Sequence, residues 1–258
     1  MKKVMIYIAT HKPCVNYLYE NGYHLLHSGA EKSSYKINEG FKDNSGDNIS
    51  AMNPLFCELT GLYWMWKNGE ECDYTGLVHY RRFLGRRRYA LNIKKNILDE
   101  KQIINLLNKY DAILPNYVRR SNINGYFEDY SKIREQRSYV LIRNAIIKVC
   151  PNYISAFEAV FTSPKMFFGN IIITKKGILD KYAQWLFNLE TQIVKDIENN
   201  NDIVQPRELG YLSEWMLNIY FKYHEEYNLI HKPIFFTEKK NNIIYILKIL
   251  FERIGILS

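Results

Sequence analysis

The chain has 258 residues, of which 47% are hydrophobic and 24% charged, a globular composition long enough for one substantial core, or one main domain with a small accessory lobe, and one compact unit is expected. No apolar run reaches the roughly 20 residues that a membrane span requires, and four scattered cysteines, Cys14, Cys57, Cys72 and Cys150, suggest neither a zinc site nor a disulfide framework, so a reducing cytosol fits. A formal net charge of +8 points to an anionic partner: nucleotide phosphates, an acidic membrane surface or nucleic acid.

Residues 3–10 read as a buried strand, because Val4, Ile6 and Ile8 alternate with other apolar residues and a polar loop follows at once. The opening Met1-Lys2-Lys3 begins like a signal peptide, yet its apolar run is short and stops at His11-Lys12-Pro13, so it is taken as this strand. Thr10, His11 and Lys12 then stand at the carboxyl end, able to donate hydrogen bonds to a base, ribose or phosphate. Residues 31–53 form a long polar loop, functional or mobile at that length. Helical spacing from Pro54 puts Phe56, Leu59, Leu62, Tyr63 and Trp66 on one side, with Glu58 expected to pair an arginine from a neighbouring strand. A strand leads to His79, a polar helix covers 99–110, and 111–115 is again a strand. Residues 125–161 are mainly helical and 165–174 return to strand character, with Gly169-Asn170 where a backbone passes close to something. Helices follow at 176–188 and 213–223. Alternating strands and helices favour an α/β fold with a mostly parallel sheet.

Such sheets bind ligands beyond the carboxyl ends of their strands. There the apolar strand from Tyr74 delivers His79, Tyr80, Arg81 and Arg82, and an arginine fork suits a phosphate or diphosphate. On a continuing strand Arg81 and Arg82 face opposite ways, so one reaches a ligand and the other braces the loop; a solvated basic turn is the plainer reading. Asn48 and Asn53 ahead of a helix serve as caps or meet a phosphate. Ser213 caps the helix it precedes, placing Glu214 in the first turn, either as a base for an incoming hydroxyl or as a partner for Arg207. Glycine-rich dinucleotide and P-loop fingerprints are absent. So is a D-x-D pair at a strand end, which leaves cationic side chains, His79, Arg81 and Arg82, to offset leaving-group charge.

Several blocks together resemble the DUF4422 family of bacterial capsule, exopolysaccharide and lipopolysaccharide O-antigen gene clusters, whose members are regarded as glycosyltransferases. They are Ile8-Ala9-Thr10-His11-Lys12, Gly46-Asp47-Asn48-Ile49-Ser50, Asn53 with residues 56–68, Gly76-Leu77-Val78-His79-Tyr80-Arg81-Arg82-Phe83, Asn170 and its strand, Tyr182 with Trp185-Leu186-Phe187, and Gly210-Tyr211-Leu212-Ser213-Glu214. Residues 126–137 depart from the family pattern, offering Tyr130, Arg134 and Glu135. The resemblance implies a GT-A-like domain over 1–231, with a basic and apolar tail over 232–258 that either lies in a membrane interface or docks on its own core.

It also implies sugar transfer from a nucleotide-diphosphate donor, a UDP-sugar foremost, to a lipid-linked glycan. Some relatives look like galactofuranosyltransferases, and the work would be done in the bacterial cytoplasm at the inner membrane face. Thr10, His11, Lys12, Asn48, Asn53, His79, Tyr80, Arg81 and Arg82 are expected to hold the donor, and Asn170, Arg207 and Tyr211 the sugar or acceptor. Arg81 and Arg82 assist departure of the diphosphate, and Glu214 acts as base in an inverting transfer. No cofactor is expected, a divalent metal is left open, and no nucleic acid is expected. The competing reading is a noncatalytic basic module that binds nucleic acid or acidic glycan.

Overall fold

The computed structural model describes residues 2–14, 21–88, 90, 92–120 and 132–237. The first half runs β1 (Val4–Thr10), β2 (Tyr23–His27), β3 (Phe41–Lys42), α1 (Asn53–Phe56), α2 (Leu59–Asn68), β4 (Tyr74–His79), β5 (Arg82–Leu84), α3 (Ile93–Asn96), α4 (Glu100–Leu107), β6 (Ala112–Pro115) and β7 (Val118–Arg119). The second half runs α5 (Lys132–Val149), α6 (Ile154–Thr162), β8 (Lys165–Met166), β9 (Ile172–Lys175), α7 (Lys176–Asn199), α8 (Glu208–Tyr223), β10 (Leu229–Lys232) and β11 (Ile234–Phe236).

The main sheet follows the order β10-β6-β9-β4-β1-β2-β3, and β9 is the one strand of that path opposed to the rest. The α/β expectation with a mostly parallel sheet therefore holds. β1 is buried along its whole length, as a strand covered on both faces must be, and its side chains divide by the two-residue period of the pleat. Met5, Tyr7 and Ala9 join the core built with α1, α2 and α5 to α8, whereas Val4, Ile6 and Ile8 join a smaller core with Ile103 and Leu107 of α4 and Phe235 of β11. β4, β6 and β9 follow the same alternation, with Leu77, Leu114 and Ile172 on the first face and Val78, Ile113 and Ile173 on the second.

Some expected boundaries move for identifiable reasons. The helix begun at Pro54 is broken at Cys57, whose φ of 52° is left-handed, because the Asn53 amide donates to the Cys57 carbonyl at 2.7 Å and folds the chain back. The polar loop over 31–53 is organised around Asp43, fully buried, which accepts hydrogen bonds from the Gly29 and Ala30 backbone at 2.7 and 3.0 Å and from Ser50 Oγ at 2.5 Å. α4 is closed by a reciprocal capping box between Asp99 and Gln102. The expected tail begins at Lys232, yet Lys232 completes β10 and Ile234–Phe236 pairs with β5, so the sheet extends to Phe236; the tail from 238 onward, like 121–131, lies outside the described residues. No described helix is long and apolar enough to cross a membrane.

Within α7, Glu190 is fully buried and neither carboxyl oxygen has a hydrogen-bond partner among the described residues. Burial, reinforced by Glu58, pushes its pKa well above the usual carboxylate range. A raised folded-state pKa means that the contribution is intact below the unfolded value of about 4.3 and is lost as pH rises from there. Glu190→Gln should therefore melt like the parent near pH 4 and several degrees higher at pH 7, measured by thermal unfolding across that range.

Candidate functional site

β1 and β4 lie side by side with Ala9 opposite His79, so Thr10-His11-Lys12 and the segment from His79 leave the sheet together. The strand does not continue past His79. Tyr80 and Arg81 make a two-residue turn, and Arg82 returns antiparallel, paired directly with His79. Directly opposed residues project to one face. His79 and Arg82 thus share a face, the one that Leu77 occupies against the helices, while Arg81 sits exposed at the tip. A turn, and not strand alternation, is what separates the two arginines.

The buried Tyr80 ring carries the cationic rim: Lys12 Nζ lies 5.3 Å and the Arg81 guanidinium 4.9 Å from its centroid, and the His11 ring meets it edge-on at 5.5 Å. Burial, followed by the charges of Lys12, Arg81 and Arg207, lowers the pKa of His11. Thr10 is buried and its hydroxyl donates to the Lys12 carbonyl at 2.5 Å, shaping this corner.

Behind the rim lies a polar centre built from four segments. Gly169 (φ 98°) and Asn170 (φ 47°) are consecutive left-handed residues ahead of β9, a bend that glycine makes freely and asparagine tolerates better than most. The Gly169 N–H donates to Glu214 Oε1 at 3.1 Å, and Asn170 Nδ2 donates to Glu58 Oε1 at 2.7 Å and to the Gly210 carbonyl at 3.0 Å. Two carboxylates from distant parts of the chain are therefore held by adjacent residues. His79 Nε2 stands 3.8 Å from Glu58 Oε1, and both this nitrogen and Asn170 Oδ1 are buried without a hydrogen-bond partner among the described residues. Burial lowers the pKa of His79 despite the facing Glu58, which favours the neutral imidazole. Arg82 is also largely desolvated, with Glu214 and Glu58 as its countercharges.

α8 begins at Glu208, earlier than expected, with Arg207 in left-handed conformation ahead of it. Ser213 is consequently no cap: it lies inside the helix and donates to the Gly210 carbonyl at 2.8 Å. Glu214 sits in the second turn, away from the helix terminus. Burial, then Glu58, push its carboxyl up to about 8 against the opposing pull of Arg82, the Gly169 N–H and Arg207, so at neutral pH it mostly holds its proton. Asn218 anchors this turn from below, donating to the Glu214 and Phe167 carbonyls at 2.8 Å each.

The remaining expected residues divide. The Arg207 guanidinium lies 5.2 Å from the centroid of the Tyr211 ring, and the Arg207 charge acts on His11 and Glu214, so it belongs to the site. Asn48 instead accepts from the Ser50 backbone at 3.1 Å and donates to the Gly46 carbonyl at 2.9 Å, a local turn. Asn53 donates to Cys57 and, at 3.1 Å, to Thr60 Oγ1. Both amides are thus engaged in holding the chain, Asn48 in its own turn and Asn53 at the Cys57-Glu58 break. Sequence reasoning treated Glu58 only as an arginine partner; it is central here. Among the described residues, no group of three His, Cys, Asp or Glu converges as metal ligands.

Asn170 supplies both a charge-assisted hydrogen bond and a left-handed backbone. Asn170→Ala should cost about 2–4 kcal/mol in urea unfolding, and Asn170→Gly about 1 kcal/mol less than that, since glycine removes the strain but not the lost amide.

The model of the family described as "Domain of unknown function (DUF4422)" matches residues 5–226. Among solved structures, the chain is similar to "WbbM bifunctional glycosytransferase apo structure", with a TM-score of 0.78 and 26% sequence identity over 92% of this chain and 46% of that one. It thus spans about half the length of that protein. No curated protein matches the chain. The structural likeness bears out the GT-A-like architecture. The matched residues take in the β4–β5 hairpin, the Glu58 break, the Gly169-Asn170 bend and α8, and the chain belongs to the DUF4422 family.

Proposed function

We propose that the chain is a glycosyltransferase that moves a sugar from a nucleotide-diphosphate donor, a UDP-sugar, to a hydroxyl of a lipid-linked glycan, in capsule, exopolysaccharide or O-antigen synthesis. The observation that carries this reading is a rim of cations, Lys12, Arg81, Arg82 and Arg207, with the His11 ring among them, beside Glu58 and Glu214 at the carboxyl edge of β1 and β4. A diphosphate leaving group needs positive charge held in place where its own charge develops, and an attacking hydroxyl needs a proton acceptor. The rim supplies the first, and an ionised carboxylate of the polar centre supplies the second. His79 Nε2 and Asn170 Oδ1, buried and unpartnered, suit the hydroxyls of a sugar. A divalent metal would be an addition to this arrangement and is left open.

Similarity to one half of a bifunctional glycosyltransferase supports a single transfer activity for this chain. A galactofuranosyl donor, an inverting outcome and work at the inner face of the bacterial cytoplasmic membrane complete the proposal. The competing module that binds nucleic acid loses ground because the basic groups gather at one strand end instead of tracking a long groove.

Wild-type protein should gain thermal stability with UDP-sugars, since a ligand of the folded state raises apparent stability. Arg82→Ala should lower kcat/KM by about 10²–10³, and Arg81→Ala, at the exposed tip, by about tenfold or less. A well-folded Arg82→Ala that transfers sugar at the parental rate, or salt-sensitive oligonucleotide binding with no response to any nucleotide sugar, would overturn the reading.

A further inference from the structure

Glu58 and Glu214 are held by neighbouring residues of one bend, but their surroundings differ. Glu58 opens to solvent, with 18% of its side chain exposed, and stands beside His79. Glu214 lies deeper, at 8% exposure, closed over by the Gly169 N–H and by the turn of α8 that Asn218 anchors. Only the first is placed where an acceptor hydroxyl can arrive.

We propose that Glu58 is the group that takes the acceptor's proton, and that Glu214, deeper in the same site, stands behind it without accepting a proton from the acceptor. This rests on the transferase reading above. In the step, the Glu58 carboxylate accepts the hydroxyl proton and the hydroxyl oxygen forms a bond to the anomeric carbon. The bond from that carbon to the diphosphate oxygen breaks, and its electron pair leaves with the diphosphate beside Arg82. The proton remains on Glu58 until solvent removes it.

Two close carboxyls do not both ionise readily, and the one with the drier surroundings retains the proton. The burial that drives the Glu214 pKa upward supports this division. The charged and titratable groups facing the pair come from every packed element: Cys57 beside Glu58, His79 from β4, Arg82 from β5, Glu190 from α7 and Arg207 ahead of α8. Burial, then Glu58, push the Glu190 carboxyl up as well, which favours its neutral form.

Glutamine copies a protonated glutamic acid, so the two isosteric variants separate the roles. Glu58→Gln should lower kcat about 10²–10⁴-fold with the KM for donor little changed. Glu214→Gln should keep kcat within about fivefold at pH 7 and lose the alkaline inflection near the Glu214 pKa. The opposite ranking overturns the proposal, and should Glu58→Gln not fold, loss of activity in Glu214→Gln alone does so.

An infrared titration decides the proton's location without any substrate. In a Glu190→Gln background, the band of a protonated carboxyl at pH 7 should vanish with Glu214→Gln and persist with Glu58→Gln, its midpoint then moving to lower pH. A band that vanishes with Glu58→Gln and survives Glu214→Gln sinks the assignment. A wild type that turns over no nucleotide sugar sinks the transferase reading instead, while the infrared result still stands.

Discussion

Two consecutive left-handed residues, Gly169 and Asn170, hold the centre of this molecule together. One gives its backbone N–H to Glu214 and the other its side-chain amide to Glu58 and to the Gly210 carbonyl. Through those three bonds the chain entering β9 is joined to the break between α1 and α2 and to the start of α8. A regular strand alternates its side chains and cannot direct two adjacent donors to one side; leaving the extended region at both positions is what permits it.

The sheet sets the cationic rim against this centre. Parallel pairing of β1 with β4 brings two strand ends to the same edge, and the tight hairpin between β4 and β5 sends Arg82 back over the face that already carries His79. The result has a gradient. Exposed cations, Arg81 and Arg207, lie outermost; Tyr80 and Arg82 are drawn inward, and Glu214 lies buried behind them. Electrostatic preorganisation of this kind depends on the scaffold holding charges that would otherwise seek water, and the dense core beneath β1, β4 and α8 does so.

How much of this was legible in the sequence depended on the range of the interaction. β1, β4 and β6 announce themselves by continuous or alternating apolar residues, and α4 by its Asp99 and Gln102 cap, because these signals reside within a few residues of each other. The strand end at His79 could be read in the same way, and Arg82, Asn170 and Arg207 could be singled out as candidates. β2 and the three-residue strands β5 and β11 could not: they are too short, or too mixed in composition, to display a period. The start of α8 was missed because Arg207 adopts a left-handed conformation that pattern rules reserve for glycine or asparagine. Glu58 eluded recognition for a deeper reason. Its partner Asn170 is 112 residues away in sequence, and no local pattern encodes a contact that only the finished topology creates.

The strand that follows Pro233 gives the arginine hairpin an outer fastening. β11 pairs with β5 along Ile234–Phe236, Gly85 donates to the Pro233 carbonyl at 2.9 Å, and Thr237 donates to the Arg81 carbonyl at 3.1 Å. Among the described residues, β5 is otherwise joined to the sheet through the single pairing of Arg82 with His79. The chain beyond α8 therefore works as a latch, fastening from its outer edge the hairpin that presents the arginines.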